Sequence, residues 1–197
     1  MSIQAPQGHA QFLKRSRSRA AAALASGLGV FLIVSAAPGR ARAAVSQQRM
    51  SARMVLATDA VHAGSSVRAA VVARITPGYH INAHVPSMDY LIPTVVKFNP
   101  GKQFDVTGIL YPKGKVQKLA FAPQGLSVYE GRLVIPALLK VASGVGPGNY
   151  TLKGQISFQA CNENACFAPA TVAFALPIHV VSKRVRLRPA NTDVFGK

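Results

Sequence analysis

From about residue 49 onward, apolar and polar positions alternate with a period of two, the spacing of strands whose side chains point to opposite faces. The clearest run covers 65–76, where Val67, Ala69, Val71, Ala73 and Ile75 share one face and Arg68, Ala70, Val72 and Arg74 the other. Over 150–159, Tyr150, Leu152, Ile156 and Phe158 oppose Thr151, Lys153, Gln155 and Ser157. Over 171–181, Val172, Phe174, Leu176, Ile178 and Val180 fall together. Weaker alternation predicts strands over 49–58, 94–98 and 104–111, and a β pattern over 127–141. Pro77-Gly78, Asn99-Pro100-Gly101, Pro112-Lys113-Gly114 and the glycine-rich run 144–149 punctuate these segments as turns. The stretch 115–126 has weak periodicity and is read as a loop, in which Phe121 is a large apolar group that no turn requires. Pro177 places the last strand at an edge or beside a position with no amide to pair. Residues 183–188 either extend that strand or are solvated, and 189–197 are expected to fray.

Seven or eight short strands separated by turn signals, with no convincing helical stretch after the amino-terminal segment, predict an all-β fold. The expected architecture is an immunoglobulin-like antiparallel β sandwich, with a barrel as the competing closure. The chain of 197 residues suffices for one such domain and a sizeable core. Its 49% hydrophobic content is inflated by alanine, and tryptophan is absent.

The amino end changes how charge and cysteine are read. Lys14, Arg15, Arg17 and Arg19 precede an apolar run over 20–37, and Ala41-Arg42-Ala43 follows, the order of a secretory signal peptide cleaved near Ala43. An uncleaved anchor is the alternative, although a run mostly of alanine and glycine is only weakly hydrophobic. The expected organisation is therefore a signal peptide over 1–43, one domain over 44–182 and a basic tail over 183–197. Without the leader's six basic residues, 17 lysines and arginines stand against 6 acidic residues, a net of +11. An exported chain with dispersed positive charge points away from nucleic acid as a partner, while leaving an attraction to anionic surfaces.

Export also makes pairing the expected state of the only two cysteines, Cys161 and Cys166. They lie between two predicted strands, at the tip of a hairpin. As a structural staple, a loop this short stabilises by only about 2 kcal/mol in the chain-entropy model. As an exchange site, an accessible bond closing a short hairpin has the character of labile, catalytic pairs. Glu163 between the cysteines disfavours a thiolate, so a reactive thiol here needs a cation brought by the fold. A third reading joins the cysteines to His80, His84 or Met88 as a soft metal site, but Pro77, Gly78 and Pro86 argue against the helix that would put both histidines on one face. Asp59, Asp89, Asp105, Glu130, Glu163 and Asp193 form no pair suited to acid–base work, and no nucleophile elbow or phosphate loop occurs.

The run Gln159-Ala160-Cys161 through Cys166-Phe167-Ala168-Pro169, with Tyr111-Pro112-x-Gly114 and Tyr129-Glu130-Gly131 upstream, resembles the amino-terminal periplasmic domain of the thiol:disulfide interchange protein DsbD, over about 49–181. The resemblance implies an immunoglobulin-like sandwich in the periplasm, without a cofactor. It implies a component of protein-disulfide reduction that takes electrons from a membrane electron transporter and passes them to periplasmic thioredoxin-like proteins, including those of cytochrome c maturation, or to disulfide isomerases. It matches Cys166 to the cysteine that forms the mixed disulfide, Cys161 to its resolving partner, and Phe121 to a phenylalanine capping the disulfide. The family's usual chain continues into a membrane domain, so here the donor is expected to act in trans. The competing function is a non-catalytic binding or assembly module whose disulfide shapes a recognition loop.

Overall fold

The computed structural model describes residues 49–196; the expected signal peptide and its cleavage site lie outside the described residues. The strands are β1 (Met50–Leu56), β2 (Val61–His62), β3 (Ser66–Ile75), β4 (His80–Asn82), β5 (Val95–Asn99), β6 (Phe104–Thr107), β7 (Lys115–Leu119), β8 (Ala122–Tyr129), β9 (Arg132–Val141), β10 (Gly148–Phe158), β11 (Ala160–Cys161) and β12 (Ala170–Val181), followed by the single turn of helix α1 (Thr192–Phe195). They form an immunoglobulin-like β sandwich, antiparallel apart from the short β2–β12 pair. One sheet has the order β1-β3-β9-β6, the second β2-β12-β10-β5, and a smaller third sheet β11-β4-β8-β7.

The alternation read from the sequence is what builds the core. Val67, Ala69, Val71, Ala73 and Ile75 of β3 meet Leu152, Ile156 and Phe158 of β10 and Phe174, Leu176, Ile178 and Val180 of β12 in one buried cluster. Full burial of such a side chain stabilises by roughly 1.5–3 kcal/mol. Pro177 of β12 pairs with Thr151 of β10, while β2 reaches only Val180 and Val181 on the other side. The proline therefore sits where β12 is an edge, and its missing N–H breaks no ladder.

Two expectations are corrected. The stretch 115–126 is not a loop: β7 and β8 form a hairpin whose last pair, Leu119 with Ala122, encloses a two-residue turn at Ala120 and Phe121. Its periodicity is faint because β7 is an exposed edge, broken by a bulge between Gln117 and Leu119. The terminal stretch is not frayed either. Pro189 bridges to Thr58, Ala190 N–H donates to Ala57 O at 2.9 Å, and the Asn191 carboxamide donates to Leu56 O at 2.8 Å. Val194 and Phe195 then pack on Val55, Ala70 and Val72. The outer face of β3 thus carries two apolar residues between Arg68 and Arg74, and the tail covers them.

Candidate functional site

The cysteine hairpin is set by its own short polar residues. The Asn162 side-chain oxygen accepts the N–H groups of Asn164 at 3.0 Å and Ala165 at 2.9 Å, the local capping that asparagine performs in turns. The Asn162 N–H donates to Ala165 O at 2.9 Å, and Phe167 N–H to Ala160 O at 2.8 Å. Cys161 and Cys166 are thereby opposed in the ladder and joined by a disulfide, their Cα atoms 3.9 Å apart. Their exposure is unequal: Cys161 is fully buried, whereas Cys166 is half-buried beside the exposed Glu163, Asn164 and Ala165.

Gln159 docks this hairpin onto the sandwich. Its side-chain oxygen accepts from the Asn82 carboxamide at 3.1 Å and from Ile92 N–H at 3.3 Å, and its amide donates to Phe167 O at 3.2 Å. The pairing of β11 with β4 sets Ala160 opposite Ile81 and Cys161 opposite His80. Ala160 and Ile81 belong to the main core, so alternation turns Cys161 and His80 together to the other face. His80 is 2% exposed, and its Nε2 has no hydrogen-bond partner among the described residues. Burial holds its imidazole below the usual histidine value, with the carboxylates of Glu130 and Glu163 acting in the opposite sense.

Beyond Cys166 the Phe167 ring lies 5.8 Å from that of Tyr79. The Arg49 guanidinium stacks 3.8 Å from the Phe167 centroid and 5.6 Å from that of Tyr79, within the range of cation–π attraction. The fold therefore brings a fixed cation to the residue next to Cys166. Sequence spacing gave no sign of it, because Arg49 is more than a hundred positions away along the chain.

The tyrosine motifs are struts. Tyr111 OH accepts Val96 N–H at 2.8 Å. Tyr129 OH donates to Pro112 O at 2.7 Å and accepts His84 N–H at 3.2 Å, and burial pushes its phenol above the usual range. Gly114 is required by close approach, since a Cβ there would meet Ser127 Oγ and come within 2.7 Å of the Ala83 side chain. Gly131 takes a left-handed φ of 59° between β8 and β9, a conformation that favours glycine.

Of the other predicted residues, Phe121 stands 41% exposed at the β7–β8 turn. His84 stacks on Tyr111 with 3.6 Å between centroids and donates from Nδ1 to Thr94 O at 3.0 Å. The Met88 sulfur accepts the Tyr90 hydroxyl at 2.6 Å. His80 is the residue brought to the cysteines, and its place was hidden because strand pairing is non-local; the alternation of Tyr79, His80 and Ile81 was the available signal.

An immunoglobulin-like sandwich that presents a hairpin disulfide with one sealed and one reachable sulfur defines a class of β domains with an accessible cysteine pair. Residues 47–178 match the family model described as "Thiol:disulfide interchange protein DsbD, N-terminal", and the chain belongs to that family. No curated protein sequence matches. Among solved structures, the chain is similar to the N-terminal periplasmic domain of ScsB from Proteus mirabilis, at 14% identity over 66% of this chain and 44% of that one, with a TM-score of 0.40. It thus spans less than half the length of that relative. It is also similar to the reduced DsbD N-terminal domain of Neisseria meningitidis, at 20% identity over 63% of this chain and 86% of that one, with a TM-score of 0.33.

Proposed function

We propose that this chain is a periplasmic thiol-disulfide exchange module that relays reducing equivalents from a membrane electron transporter to thioredoxin-like proteins or disulfide isomerases. The observation that carries this reading is the unequal burial of the two cysteines in a hairpin of the DsbD N-terminal family. A donor thiolate attacks the Cys166 sulfur, the bond to Cys161 breaks, and Cys161 leaves as thiolate. The donor's second thiol then releases Cys166 and keeps the new disulfide, leaving Cys161 and Cys166 reduced. Transfer onward reverses the order: Cys166 attacks the acceptor disulfide, and Cys161 resolves the mixed disulfide by attacking Cys166. Two electrons and two protons move in each half.

By the family resemblance we assign the role of shield to Phe121, a large apolar ring on a two-residue turn. Phe121→Ala is expected to speed reduction of the disulfide by dithiothreitol several-fold.

The direct test is trapping. Cys161→Ala, incubated with a periplasmic extract and run without reductant, is expected to hold a thioredoxin-like protein through Cys166, and Cys166→Ala to hold none. A reduction potential well below about −300 mV marks a purely structural bond. That value, with no trapped partner, sinks the proposal and leaves the binding-module reading.

A further inference from the structure

We propose that His80 carries the proton of Cys161, its Nε2 taking the proton when Cys161 attacks and returning one when Cys161 leaves. The proposal rests on the exchange reading and names a residue that the cysteine motif does not contain. His80 is the cross-strand neighbour of Cys161, and directly opposed residues have Cβ atoms about 4.5–5.5 Å apart on one face. An imidazole that is 2% exposed is sealed from bulk water. Among the described residues its Nε2 has no hydrogen-bond partner, and a buried polar atom left so calls for an explanation, of which a redox or catalytic role is one. With the proton on Nδ1, Nε2 keeps a free lone pair for the thiol of its cross-strand neighbour Cys161.

The groups around His80 come from every side. Cys161 faces it from β11. Tyr129 of β8 pairs with Ile81, so continuing that ladder by one position sets Glu130 opposite His80. Glu163 contributes from the hairpin tip. On the flank, Tyr79 carries the Arg49 guanidinium, which also lies over Phe167. Glu130, which follows β8, and Glu163 both act on His80 in the sense that favours its charged form, so the two carboxylates stabilise an imidazolium once it forms.

The step balances. In the mixed disulfide the Cys161 thiol gives its proton to Nε2 and its sulfur attacks the Cys166 sulfur. The Cys161–Cys166 bond forms as the bond from Cys166 to the partner breaks, and the partner sulfur departs as thiolate with the electron pair. In the opposite direction Cys161 departs as thiolate and is protonated through the same nitrogen.

The test uses the full chain and needs no partner. In a Cys166→Ala background, thiolate absorbance near 240 nm reports the titration of Cys161. Adding His80→Gln or His80→Phe is expected to raise the Cys161 pKa by about one unit or more, the scale of a neighbouring opposite charge; a smaller change overturns the proposal. Should neither double variant fold, the native ring supplies the reading: by NMR the His80 pKa is expected to rise when the disulfide is reduced with a phosphine, and an unchanged value overturns the proposal. Failure to trap a thioredoxin-like protein refutes the exchange reading alone, whereas an uncoupled His80 refutes this role and leaves exchange standing.

Discussion

Burial of His80 sets a pH dependence on the fold itself. Its folded pKa lies below the 6.5 of an ordinary histidine, so below that pH the unfolded chain binds more protons than the folded one. Stability is complete above pH 6.5 and declines as pH falls through the window towards the folded value. The denaturation midpoint of the oxidised chain is therefore expected to drop on acidification below pH 6.5, and His80→Gln to flatten that drop. At Gly114 the constraint is steric. Gly114→Ala drives a methyl into Ser127 and Ala83 and is expected to cost about 1–3 kcal/mol, read as a lower midpoint with the disulfide intact. The two residues differ in legibility. Gly114 stands in a recognisable tyrosine-proline-glycine run, whereas the sequence around His80 offers it only as a metal-ligand candidate, since nothing local announces which residue will lie across from it.

Among the elements, the cysteine hairpin gains its rigidity from polar side chains that sequence spacing alone leaves unassigned. Gln159 makes three hydrogen bonds that tie β4, the segment at Ile92 and the return strand together. Gln159→Leu removes one of the two hydrogen bonds of the Asn82 amide and the acceptor of Ile92 N–H and is expected to destabilise by about 1–3 kcal/mol, with faster amide exchange at Ile92 and across β11. The strong strands β3, β10 and β12 were legible because each buries one full face in the core. The β7–β8 hairpin was not, because exposed Lys115, Val116 and Lys118 erase the alternation that a buried face imposes. Its turn is nevertheless marked in the sequence by Phe121, whose size conflicts with a solvent loop.

For the whole molecule, the sandwich followed from strand count and turn spacing, while its closure by the tail did not. Ala70 and Val72 are buried on the side of β3 away from the main core, and residues 189–196 cover them by crossing the outer face of the first sheet. The salt bridge from Arg132 to Asp193 at 2.7 Å is exposed and adds little by itself. Packing of Phe195 carries the attachment, so Phe195→Ala is expected to cost roughly 1–2 kcal/mol and to raise protease sensitivity near the carboxyl end, while Asp193→Asn leaves the midpoint nearly unchanged. The sequence suggested fraying there because four basic residues within 183–188 mask the short apolar pair Val194 and Phe195 that follows.

The two-residue strand β11 has a consequence for tolerance to insertion. Side chains on a strand reverse direction at each step, so one residue added between Phe158 and Cys161 would bring the sulfur to the side of Ile81, within the apolar core and away from His80. The same insertion at Asn164 leaves Cys161 on its own face and disturbs only the Asn162-centred turn at the exposed tip. Libraries of single-residue insertions should therefore show a sharp polarity across this hairpin, with formation of the Cys161–Cys166 disulfide lost before Cys161 and kept beyond Glu163.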